Sequence, residues 1–321
     1  MLHLNTLELE AAEDPQRVHQ RVGRYAEQRA ATDAPTWLIQ EPSAPRQLQS
    51  ASLAAVQGPP GFALQLHRVA PGGVLSPPPE PARIAVFIVV RGELRDSSGE
   101  TLTPRSLRLA DRGEPVRLVN APSGPEAEVL QLSFVPRTGR PLPPGKRIAR
   151  QRDLRPLRSR PPFSWIPDEI GDFLSPRDLY LALGPAASGP LAFAVAGPDE
   201  LVTVFVQTPR GTGPALHVHT KSTEMFCVLE GRFRITWGDH GEHEAELGRL
   251  DTIVVPRGYN RAFTALDEGE NWILPIVVGT NDEAEDILWL DHVFEPVRAQ
   301  YPLLSAIASR TKLQVGQRAQ R

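Results

Sequence analysis

The chain has 321 residues, with 35 basic and 38 acidic side chains and a formal net charge of −3. That length suits about two domains, and the near-neutral balance gives no electrostatic reason to expect nucleic acid or anionic lipid. A single cysteine, Cys227, excludes an intrachain disulfide and a cysteine-based zinc cluster.

The opening residues, MLHLNTLELEAAEDPQ, lack the basic and apolar regions of a secretory signal peptide. No run of about 18 apolar residues occurs, so a cytoplasmic protein without a membrane partner is expected. Residues 14–32 read as a helix: Asp14 suits the N-cap and Pro15 the first helical position. Val18, Val22, Tyr25 and Ala26 then recur at helical spacing.

From about residue 60 the pattern changes to short apolar or alternating runs. Residues 62–69, 84–90, 128–134, 201–207, 232–237, 252–255 and 272–278 read as strands. In RFRITW (232–237), Phe233, Ile235 and Trp237 alternate with polar residues, which marks a half-buried strand. Proline makes up 33 of the residues, about twice ordinary usage, and its clusters separate the runs. Two such β-sets flank residues 136–162, which hold seven prolines, nine Lys or Arg and one acid, Asp153. This stretch reads as a semi-extended surface linker, with acids such as those of 282–286 available to neutralise it. Residues 294–309 suggest a closing helix interrupted at Pro302.

The chemistry-bearing segment runs from Gly211 to Gly231: Gly-TGPAL-His217-V-His219-TKST-Glu224-MFCVLE-Gly. At strand spacing His217 and His219 share a face. Glu224 opens the next apolar run, where a tight return brings its carboxylate to the imidazoles. Two His and a carboxylate on one face of a metal, with open positions opposite, suit non-haem Fe(II).

This segment resembles the first motif of the cupin superfamily, G-x5-H-x-H-x(3,4)-E-x6-G. The second cupin motif is similar to Gly248-RLDTIVV-Pro256-R-Gly258-YN-Arg261-AFT, but Arg261 stands where the family places a fourth, histidine ligand. Arginine stays protonated and offers no lone pair. Two readings stay open: Arg261 clamps an anionic substrate beside a three-ligand metal, or it pairs with Glu224 in a metal-free site. His292 is a further candidate for the fourth ligand, and Phe226, Phe233, Phe263 and Trp237 are candidates for lining the barrel. His240 and His243 read as a solvated hairpin tip, and Cys227 as a small core residue.

Aligning Arg91-Gly92 with Glu230-Gly231 places Gly72 on Gly211, Pro78 on His217, Glu80 on His219 and Ala85 on Glu224. Farther on, Gly113 matches Gly258 and Val116 falls at the Arg261 position. The resemblance therefore implies an all-β bicupin with a degenerate first copy. Its expected parts are a helical arm at 1–50, a barrel at 51–136, a linker at 137–175, a metal-bearing barrel at 176–293, and a helix and tail at 294–321. It further implies a homodimer acting on a small-molecule substrate, with Fe(II), or else Mn, Zn, Ni or Cu, held by His217, His219 and Glu224. The implied activity is dioxygenation of an aromatic or enolic compound carrying an anionic group, with Arg261 as its catalytic clamp. The alternatives are an isomerase, lyase or cyclase that uses no O2, and a non-catalytic binding protein.

Overall fold

The structure, a computed structural model, describes residues 22–23, 48–52, 62–137, 139–161, 163–279, 286–300 and 314–316. The chain divides into two compact units. The first comprises Gly23–Arg155 with Leu181–Pro198, and the second Met1–Val22, Pro156–Tyr180 and Asp199–Arg321. The architecture is all-β in both, as the run spacing predicts.

In the first unit, β1 (Leu48–Ser52), β2 (Ala63–Val69), β3 (Ile84–Arg91), β4 (Ser106–Ala110), β5 (Ala127–Phe134) and β6 (Ile148–Arg150) form one sheet in the order β6-β4-β3-β5-β2-β1. Strand β5 lies antiparallel between β2 and β3, and all eight of its residues are buried. Its buried polar residues find partners on β2: Gln131 bonds to His67 at 2.8 Å, and Glu128 lies 3.6 Å from Arg68. A second sheet of four short strands packs Leu75, Leu94, Leu102 and Leu118 against Phe87, Val89 and Val129 of the first. Full burial of each such side chain contributes about 1.5–3 kcal/mol before entropy is subtracted.

In the second unit, β7 (Leu201–Gln207), β8 (His217–His219), β9 (Thr223–Glu230), β10 (Phe233–Trp237), β11 (His243–Leu247), β12 (Thr252–Val255), β13 (Asn260–Ala265), β14 (Trp272–Val278) and β15 (Ile287–Leu290) form two sheets. One has the order β12-β9-β14-β7 and the other β11-β10-β13-β8-β15. Strand β10 shows the expected alternation, with Phe233, Ile235 and Trp237 fully buried and Arg234 and Thr236 half-buried.

The same backbone turn occurs in both units. Arg105 and Leu250 are the non-glycine residues with positive φ among the described ones, at 64° and 65°. Arg105 donates its N–H to Val89 at 2.8 Å, and Leu250 to Val228 at 2.7 Å. Gly92 and Gly231, paired by the internal alignment, share φ values of 78° and 76°. These left-handed positions are ones that glycine enters without steric cost.

Several expectations need correction. Of the helix expected over 14–32, only Val22 and Gly23 are described; they form a short strand beside β12, where a sheet edge offers backbone partners. The basic proline-rich stretch is not a bare connection. It contributes β6, which pairs with β4, and buries Leu142, Ala149 and Leu157. Among its arginines, Arg150 pairs with Asp153 at 2.9 Å and Arg158 with Asp168 at 2.8 Å, while the acids expected at 282–285 lie outside the described residues. The closing helix starts earlier than expected, at Asp291, and runs to Gln300 with Phe294 buried. Its expected continuation over 301–309 lies outside the described residues. No helix among the described residues is long and apolar enough to cross a membrane.

Candidate metal centre

Strand β8 is only three residues long, and both of its neighbours carry parts of the site. Its register sets His217 opposite Arg261 of β13 and His219 opposite Ile287 of β15. Residues directly opposite across a ladder share a face, so His217 and Arg261 both point to the barrel interior. Trp237 of β10 lies opposite Arg261 on the other side and extends the same row. The approach to β8 depends on Gly213, where an added Cβ would fall on the carbonyl of Phe263.

Glu224 enters from the other sheet, near the start of β9. Its ligand oxygen and one ring nitrogen each of His217 and His219 lie within 4.8 Å of one another, and all three residues are buried. The second nitrogen of each ring is already committed. Nδ1 of His217 lies 2.8 Å from the carbonyl oxygen of Ala215, and Nδ1 of His219 lies 2.6 Å from Oδ2 of Asp286. A carbonyl oxygen and a carboxylate only accept, so each Nδ1 carries a proton and Nε2 is the nitrogen left to face the centre.

Burial and neighbouring charges shift three groups of the site. Burial above all, with the neighbouring His219 adding to it, holds His217 down at about 3, so its ring is neutral. Burial pushes Glu224 upward, opposed by His219 and Arg261. Burial also pushes Asp286 upward, yet hydrogen bonds from His219, Ser222 and the Lys221 N–H outweigh it and hold Asp286 at about 2.

The donor set fits a divalent metal. Two imidazoles and one carboxylate converge, and Oε2 of Glu224 is buried without a hydrogen-bond donor. Its nearest cationic or ring nitrogens are Nε2 of His219 at 3.4 Å and Nε of Arg261 at 3.7 Å. A buried carboxylate oxygen left in that condition is costly, and a metal ion removes the cost.

Arg261 is itself fully buried. Its terminal NH2 group donates to the carbonyls of Pro256 at 2.7 Å and Val255 at 3.2 Å, which fastens the guanidinium to the end of β12. The structure thus brings all four sequence candidates together. Phe226 and Phe263 also meet edge to face at 5.6 Å, and Phe263 meets Phe233 at 5.9 Å, forming the apolar layer beneath the site.

Other candidates lie elsewhere. His292 packs against His240 at a ring separation of 4.6 Å, and it is exposed at the start of the closing helix rather than in the barrel. His243 sits on β11, not in a hairpin tip, and stacks on Trp237 at 5.8 Å. Cys227 is buried, its thiol pushed up to about 12 by burial, and its odd offset from Glu224 turns it to the opposite face of β9. Sequence reasoning missed Asp286, read only as one of a run of surface acids, and Trp289, whose ring lies 6.0 Å from that of His217.

In the first unit, Pro78, Glu80, Ala85 and Val116 all line one cavity of about 340 Å³, open mouth included. These are the four positions aligned with His217, His219, Glu224 and Arg261. None of the four side chains except Glu80 can ligate a metal.

No protein-family profile matches the chain, and no curated protein matches it in sequence. Solved structures do resemble it. A glyoxylate-induced protein of Pseudomonas aeruginosa superposes with a TM-score of 0.55 at 16% identity, over 78% of this chain and 84% of that one. Oxalate decarboxylase from Lactobacillus farciminis gives 0.54 at 11% identity, over 85% and 90%. Vicilin from Capsicum annuum gives 0.52 at 12% identity, over 87% and 92%.

Proposed function

From the cupin fold that these neighbours share with the chain, we propose that the protein is a metal-dependent cupin enzyme. In this reading the second unit holds one divalent metal through His217, His219 and Glu224. The observation that carries it is the unsatisfied Oε2 of Glu224, buried among two imidazoles whose Nδ1 atoms are already bonded elsewhere. The first unit, with no ligand set at the aligned positions, serves as scaffold.

The activity proposed is dioxygenation of an aromatic or enolic small molecule bearing an anionic group, with Fe(II) as the metal. Bound there, the metal supplies Lewis-acid and O2-activating chemistry at its open positions. The chain's own residues set the charge and polarity around it. The permanent cation of Arg261 beside Glu224 suits a substrate that carries an anionic group. The guanidinium, fixed by Val255 and Pro256, keeps its charge in place and stabilises negative charge developing on substrate oxygen without reorganising. Phe226, Phe263 and Phe233 keep water from the buried side of the site.

The test is oxygen uptake by the Fe(II)-loaded protein across a panel of gentisate, homogentisate and quercetin. O2 consumed in step with product supports the reading. Turnover retained without O2 moves it to an isomerase, lyase or cyclase.

A second reading, a metal-free binding protein, draws on the 3.7 Å approach of Arg261 to Glu224. Metal content below about 0.2 per chain after reconstitution with Fe(II) or Mn(II) selects it.

A further inference from the structure

Asp286 lies immediately before β15, and its polar contacts concentrate on the segment that joins two of the proposed ligands. Oδ2 accepts from His219 Nδ1 at 2.6 Å and from the Ser222 hydroxyl. Oδ1 accepts the N–H of Ser222 at 3.2 Å and that of Lys221. The Asp286 carbonyl accepts from the Thr220 N–H at 2.9 Å and the Thr220 hydroxyl at 3.2 Å. Residues 220–222 connect β8 to β9, and therefore His219 to Glu224.

A fully buried carboxylate is expensive unless its oxygens are satisfied. Here the donors that satisfy it come from the ligand-bearing loop and from a ligand itself. Farther along the same strand, Trp289 is buried and lies against His217 with a 37° angle between the ring planes. One short strand, 67 residues from His219 in sequence at its Asp286 end, thus reaches both imidazoles: one through a charged hydrogen bond and the other through an aromatic contact.

We propose that Asp286 and Trp289 are positioning residues that hold His219 and His217 in the orientation required for metal binding, so that the centre assembles only when β15 is docked on β8. The proposal rests on the reading of His217, His219 and Glu224 as ligands. Asp286 sets which nitrogen of His219 carries the proton and fixes the loop that spaces His219 from Glu224. Trp289 limits rotation of the His217 ring. Outer partners of this kind typically alter metal affinity by about 10–100-fold.

The experiment has two independent readouts on the full-length chain. In the 15N-labelled, metal-free protein, long-range 1H–15N correlation reports the His219 tautomer. Proton on Nδ1 is expected in the unaltered chain and a mixture of tautomers in Asp286→Ala. Calorimetric titration with Mn(II) is expected to show affinity falling about 10–100-fold in Asp286→Ala and less in Asp286→Asn, whose amide oxygen still accepts from Nδ1. Trp289→Phe should retain most of the affinity that Trp289→Ala loses. A proton on Nε2 in the unaltered protein overturns the proposal without need of any variant. So does an Asp286→Ala protein that is folded and binds Mn(II) within about threefold of the original. If the unaltered chain takes up no Mn(II), the metal reading fails by itself, and the tautomer measurement still decides the role of Asp286.

Discussion

Nε of Arg261 lies 3.7 Å from Oε2 of Glu224, inside a barrel where both side chains are buried. At the position that resembles the histidine of the second cupin motif, this chain has a permanent cation beside the carboxylate of the proposed ligand Glu224. Without metal, the pair offsets part of its own desolvation. With metal, the guanidinium and the ion repel each other across that carboxylate, unless an anion intervenes. In the proposed function, Arg261 therefore trades metal affinity for affinity toward anions.

Replacing Arg261 by His should tighten Mn(II) and weaken anionic ligands. Titration calorimetry with the metal, and then with gentisate on the loaded protein, measures the two shifts in opposite directions. Weaker metal binding in the variant would remove the electrostatic argument.

Replacing Arg261 by Ala leaves Glu224 buried without its cation. Removal of one partner from a buried pair costs about 3–5 kcal/mol. Urea unfolding of the metal-free variant should show a loss of that size, and excess Mn(II) should restore much of it. A variant equally unstable with and without metal would place the ion away from Glu224.

His219→Ala should reduce reconstituted metal to below about 0.2 per chain while leaving the far-ultraviolet circular dichroism unchanged. Unchanged metal content, measured by mass spectrometry, would mean that the ligand set is wrong.

Gly213→Ala should destabilise the second unit by at least about 2 kcal/mol, since the added methyl meets the Phe263 carbonyl. Backbone cannot yield as a flexible side chain can. Because Gly213 leads into β8, metal affinity should fall as well, and both losses are readable in one thermal titration with Mn(II).

His67, in the first unit, is held down at about 4 by burial, against a hydrogen bond to Gln131 that works the other way. The unfolded chain takes up a proton near 6.5 and the folded one only near 4. Stability from this group is therefore complete above about 6.5 and is lost as pH falls toward 4. Between pH 7 and pH 5 the loss is on the order of 2 kcal/mol. His67→Gln should flatten that slope in urea unfolding, and an unchanged slope would assign the acid sensitivity to another group.

The strands of the proposed ligands were legible because their information is local. Period two puts His217 and His219 on one face, and the short return brings Glu224 beside them. Strand β9 was equally plain, since Met225–Leu229 form a continuous apolar run. The strands that escaped notice are short or polar for a reason. Strand β13 reads NRAFTA because two of its residues, Asn260 and Arg261, are buried polar groups that donate to the carbonyls of Asp239 and Pro256. Strand β11 reads HEAEL because it sits at the edge of its sheet with one face in solvent. Asp286 was out of reach for another reason. Its meaning depends on β15 pairing with β8, a contact made by topology rather than by any spacing in the chain.

The matching turns at Arg105 and Leu250 give the molecule an internal control. Both residues hold the same left-handed backbone and the same hydrogen bond back to an earlier strand, one in each unit, Arg105 to Val89 of β3 and Leu250 to Val228 of β9. A substitution made at paired positions is thus an experiment repeated on one frame with two different fillings. What both halves lose belongs to the frame. What only one half loses belongs to what that half encloses, and the cost of building a charged interior into a β-barrel becomes a difference that can be measured within a single chain.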